Sequence, residues 1–113
     1  MKHEKTISAD GSTLLCRAIK TAGKDRYLAT IACYGGGGND FGSGTVTIKV
    51  SPDGGTTLIT AQKADGTDVT FTADGVQNVE LGFGNSQEGM DIYAVMAGST
   101  SPTVNVTIFD NAA

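Results

Sequence analysis

The sequence predicts an all-β fold: an antiparallel β-sandwich of about eight strands, with jelly-roll or immunoglobulin-like topology. Three observations predict it. Apolar residues alternate with polar ones at period two in run after run, with no convincing helical stripe. Turn-forming Asp-Gly steps (Asp53-Gly54, Asp65-Gly66 and Asp74-Gly75) fall between those runs. The composition matches, with 16 Gly in 113 residues and only 18% charged residues, as suits short strands joined by tight turns.

Residues 1–12 read as a polar, basic N-terminal arm and 13–113 as a single sandwich domain. The expected strands begin with Leu14 to Ile19 and Tyr27 to Tyr34. Gly35 to Gly44 follows, a loop in which six of ten residues are Gly; such a stretch is expected to be mobile. Thr45 to Val50 is the clearest strand, with Val46, Ile48 and Val50 on one face and Thr45, Thr47 and Lys49 on the other. Then come Thr57 to Gln62, Asp68 to Thr72, Asn78 to Phe83 and Met90 to Ala97. The last strand, Thr103 to Phe109, turns Val104, Val106 and Ile108 inward. Pro52 and Pro102 stand at strand ends, where a missing N–H is tolerated.

Charge is unevenly placed. The net charge is −4, yet residues 1–26 hold six of the eight basic residues and only three of the twelve acids. That segment is therefore +3 and the remainder −7. The plain account is a solvated arm and first hairpin; the functional one is a basic region that steers docking onto an acidic partner. An acidic chain without a basic patch interleaved with aromatics is a poor nucleic-acid binder. No run approaches the roughly 18 apolar residues of a membrane span, and Met1 to Thr6 lacks an apolar signal core. Synthesis in a cytoplasm is the expectation, and with it free buried thiols at Cys16 and Cys33 rather than a disulfide; whether the two pair stays open.

Motifs that could carry chemistry have plainer explanations. The glycine-rich loop lacks the Lys-Ser/Thr and following helix of a phosphate cradle. Ser51-Pro52-Asp53-Gly54-Gly55-Thr56-Thr57 matches the S-x-D-x-G-x-T pattern of an Asp-box hairpin, whose carboxylate bonds backbone N–H groups of its own turn. His3 is the only histidine, and a terminal arm cannot hold it as a triad base. Asn39 and Asp40 could contribute to a Ca²⁺ site, though no EF-hand spacing supports one. The expectation is a protein that is not an enzyme, with no cofactor and no metal.

The run from Ser43 to Ala73 resembles segments of tailed-bacteriophage structural proteins, and the residues that carry the likeness are Gly44-Thr45-Val46-Thr47-Ile48-Lys49-Val50-Ser51-Pro52-Asp53-Gly54-Gly55-Thr56-Thr57. So does Ala94-Val95-Met96-Ala97-Gly98-Ser99-Thr100-Ser101-Pro102-Thr103-Val104-Asn105-Val106-Thr107-Ile108. Together the similar segments cover about half the chain. The resemblance implies a small virion β-sandwich of the capsid decoration (cement) type. It would be made in the host cytoplasm and bind the outside of a capsid, with the major capsid protein or other virion proteins as partners. A high-copy assembly or homo-oligomer is implied, with no nucleic acid and no membrane. A tail, neck or fibre component is the alternative, as is a receptor- or carbohydrate-binding module. The candidate partner-binding residues are Lys2, Lys5 and Arg17 on the basic segment and Phe41, an aromatic flanked by glycines and expected to be exposed.

Overall fold

A computed structural model describes residues 2–19, 26–35, 41–51, 53–62, 66–82, 89–100 and 102–110. Among these residues lie nine strands, β1 (Lys2–Ile7), β2 (Gly11–Ile19), β3 (Arg26–Tyr34), β4 (Thr45–Ser51), β5 (Ile59–Thr60), β6 (Thr70–Phe71), β7 (Gly75–Gly82), β8 (Gly89–Ala97) and β9 (Val104–Asp110). They form two antiparallel sheets. Sheet A has the order β1-β9-β3-β7; sheet B has the order β2-β8-β4-β5, with β6 also on β4.

That order selects the jelly roll from the two expected topologies. The first four strands pair with the later ones as one long folded-back ribbon: β1 with β9, β2 with β8, β3 with β7, and β4 with β5 and β6. Rolling the ribbon adds the pairs β3–β9 and β4–β8. Apart from β4, β5 and β6, which share sheet B, successive strands then alternate between two layers, as in double-sheet jelly rolls.

The core lies between the layers and follows the alternation. Ile31 and Cys33 of β3 and Val104, Val106 and Ile108 of β9 face Val46, Ile48 and Val50 of β4 and Ile92, Ala94 and Met96 of β8. Burying each Val, Ile or Met side chain contributes about 1.5–3 kcal/mol. In β2 the register slips between Leu14 and Cys16, so that Leu15 and Cys16 are both buried while Leu14 stays exposed. A bulge of this kind inserts one extra residue and re-aims its neighbours.

Three expectations change. The region of the expected arm carries β1, whose six residues all pair with β9. Its polar composition concealed a strand because an edge leaves inward-facing His3 and Lys5 within reach of solvent; only Ile7 is sealed in the core. The stretch from Thr57 to Thr72 forms two short strands joined by the bridge Gln62–Asp68. Finally, Asp74-Gly75 is not a positive-φ turn, since Gly75 opens β7. Pro52, Asp65 and residues 36–40 of the glycine-rich loop lie outside the described residues.

Candidate interaction surface

With three links between them, four chain segments gather at one end of the sandwich. The Asp10 carboxylate, after β1, accepts hydrogen bonds from the Ser99 backbone N–H at 3.0 Å and from the Ser99 hydroxyl. Those bonds, the hydroxyl's first, hold the Asp10 carboxyl below its ordinary value. The Thr100 N–H donates to the Gly42 carbonyl at 3.0 Å, and the Gly35 N–H to Asp74 Oδ1 at 3.2 Å.

Phe41 belongs to this end, and its expected exposure is overturned. It is only 5% exposed and packs in the core. The reason is the turn that follows. Gly42 and Ser43 both take positive φ, and the Gly44 N–H closes onto the Phe41 carbonyl at 2.8 Å. A Cβ at Gly42 would collide with the Thr100 backbone, so glycine is needed there. The sequence showed an aromatic between glycines; it could not show that the turn tips the ring inward. Asn39 and Asp40, the Ca²⁺ candidates, lie outside the described residues, and no group of three or more His, Cys, Asp or Glu that could hold a metal occurs among those described.

The other three candidates are exposed but differently occupied. Lys2 and Lys5 lie on β1, free of close ion pairs among the described residues. Arg17 Nη1, on the outer face of sheet B, sits 3.1 Å from Asp91 Oδ1. Its charge is already shared, so it offers a partner less than the lysines do.

The surface that sequence reasoning missed is the outer face of sheet A. Glu4 Oε2 accepts from the Tyr34 hydroxyl at 2.9 Å and from Thr107 Oγ1 at 3.1 Å. These two bonds, then the nearby Lys2 ammonium, hold its carboxyl below the usual 4.5. Alongside, Thr6 Oγ1 donates to Asn105 Oδ1 and Thr30 Oγ1 to Asn78 Oδ1, each at 2.8 Å. All four strands of the sheet are thus linked by polar cross-strand contacts. The rings of Tyr34 and Phe109, 41% and 46% exposed, stand on the same face. The signal was present as outward-facing Thr, Asn and Glu in alternating strands, but only the register shows which of them meet.

The Asp-box hairpin forms as its pattern implies. Asp53 Oδ1 accepts from the Thr57 N–H and the Ser51 hydroxyl, both at 2.8 Å, and Ser51 Oγ accepts from the Gly55 N–H at 2.8 Å. The bond from the Thr57 backbone is the largest cause of the lowered Asp53 carboxyl. The motif is spent on its own turn. Cys16 and Cys33 are both buried, unbridged thiols on different sheets. Burial, then the Asp74 charge, pushes the Cys33 thiol up to about 12, so it stays protonated and unreactive at neutral pH.

No protein-family model and no curated relative matches the chain. Among solved structures, one described as "Crystal structure of PirA" superposes with a TM-score of 0.57 at 14% identity, covering 97% of this chain and 93% of that chain. At that identity the likeness is one of fold, and what it establishes for this chain is the β-sandwich.

Proposed function

We propose that this chain is a phage virion structural protein that binds the outside of the capsid and decorates or stabilises it. The observation that carries the reading is the jelly-roll order of the two sheets, an architecture used repeatedly by viral capsid domains. The resemblance of the segments from Gly44 to Thr57 and from Ala94 to Ile108 to tailed-phage structural proteins points the same way. In this reading the protein works by recognition alone, with Lys2 and Lys5 on the β1 edge supplying positive charge toward an acidic capsid surface.

Quantitative mass spectrometry of purified particles tests the proposal. Hundreds of copies per particle are expected. A few to a dozen copies would instead make the chain a tail, neck or fibre part, and absence from particles would sink the virion reading.

The polar face of sheet A favours a second reading, a receptor- or carbohydrate-binding module. Tyr34 is pre-positioned by Glu4, and an exposed ring beside Asn and Thr side chains suits a sugar. Glycan-array binding abolished by Tyr34→Ala would support it; silence on the array would remove it.

A further inference from the structure

A β-sandwich with open sheets has four edges, and an unguarded edge invites another strand. Three edges here are guarded. On sheet B, β2 is broken by its bulge, and the opposite edge is divided between β5 and β6, two residues each. On sheet A, β1 presents Lys2, Glu4 and Lys5 to solvent, a net positive edge that deters neutral and basic strands and admits an acidic one. The fourth edge, β7, has neither bulge nor division, and its sequence holds one charged residue, Glu80, and no Lys. It runs eight residues from Gly75 to Gly82 without Pro, Lys or bulge, in unbroken register with β3 from Gly75↔Cys33 to Gly82↔Arg26. Among the described residues β3 is the only strand it pairs with. Val76, on its outward face, is 66% exposed.

Two features identify what fits there. First, every pair across sheet A is antiparallel, and with four strands the two edges run in opposite directions. A second copy set edge to edge therefore brings its β1 antiparallel to β7 and continues the sheet. Second, the two edges carry opposite charge. Lys2 and Lys5 outnumber the single acid Glu4 on β1, whereas Asp74 and Glu80 accompany β7 without a base. Self-pairing of either edge joins like net charge; pairing β1 with β7 joins unlike charge.

We propose that β7 is the docking edge for β1 of a second copy of this chain, in a head-to-tail interface that continues sheet A from one molecule to the next. Such heterologous contacts build rings or open filaments. The register that keeps outward residues on one face sets Lys2 of one copy opposite Glu80 of the next, Glu4 opposite Asn78, and Thr6 opposite Val76. The inference deepens the reading of a high-copy assembly but rests on the sheet edges alone. Particle copy number and self-association are separate measurements, so either reading can fail without the other.

Sedimentation equilibrium of the purified chain at low ionic strength is the test. Association that grows with concentration and weakens with salt is expected. Glu80→Lys and Lys2→Glu should each weaken it by roughly five-fold or more, and the double variant should recover it, because the charges are exchanged rather than lost. Thr6→Cys with Val76→Cys should give disulfide-linked multimers on oxidation, dispersed by reductant; Cys16 and Cys33 are buried and do not compete. A chain that remains monomeric at about millimolar concentration, association indifferent to both charge reversals, or a double-cysteine variant that yields no linked multimers would each overturn the proposal.

Discussion

The two sheets are alike inside and unlike outside. Both line the core with alternating Val, Ile, Ala and Cys, sealed on the inner faces. On the outer face of sheet A, polar side chains meet across all four strands, through Thr6 and Asn105, Glu4 with Tyr34 and Thr107, and Thr30 and Asn78. Sheet B carries outside a single ion pair, Arg17–Asp91, among the described residues, and spends its irregularities on its edges. Inner faces answer only to burial, so alternation is enough to specify them. An outer face acquires structure only where register brings particular partners together, and that is where two sheets with the same strand chemistry diverge.

The contrast can be broken most severely at β1. Deleting residues 1–8 removes Ile7 from the core and strips β9 of one partner. The truncated chain is expected to lose cooperative unfolding by circular dichroism, whereas a dispensable arm would leave the melt unchanged. Next, Phe41→Ala should cost about 3–5 kcal/mol in urea denaturation, as a buried aromatic does; an exposed anchor would cost almost nothing.

Smaller changes sharpen the difference between the outer faces. Thr107 is 1% exposed and donates to Glu4, so Thr107→Val should cost about 1 kcal/mol. Acid should act in the same direction. Glu4, Asp10 and Asp53 are held below their ordinary values of 4.5, 3.8 and 3.8, so around those values the unfolded chain binds more protons than the folded one. Their stabilising effect is complete above that range and is lost as pH falls through it and below. Urea midpoints measured from about pH 6 to pH 3 should fall, and Glu4→Gln should make the fall shallower. The smallest effect belongs to sheet B: Arg17→Ala should cost less than about 1 kcal/mol, because an exposed pair is worth little, and the same urea titration would reveal a larger value.

Much of this was legible in the residues. The alternation through Val46, Ile48 and Val50, and again through Val104, Val106 and Ile108, assigns strand and inner face at once. The Ser51-to-Thr57 hairpin was readable because its bonds are local. Three features were not. The strand Lys2–Ile7 is hidden by its charges, since an edge tolerates what a central strand would exclude. Phe41 was misplaced because its burial depends on a turn fixed by a contact with Thr100, far along the chain. The face joining Glu4, Tyr34 and Thr107 requires the pairing of β1, β3 and β9, which no local pattern specifies. Jelly-roll and immunoglobulin-like orders likewise use similar strands and differ only in which of them meet.

The place of β9 carries a consequence for how the molecule comes into being. It lies between β1 and β3, supplying the middle of sheet A, yet it is made after every other strand. Until β9 emerges during translation, β1 has no strand to pair with and the β3–β7 ribbon has one side open. The fold is therefore expected to complete late and slowly, as topologies dominated by distant pairings do. In that interval the nascent chain would depend on crowding partners or chaperones to keep its half-built sheet from joining a neighbour's.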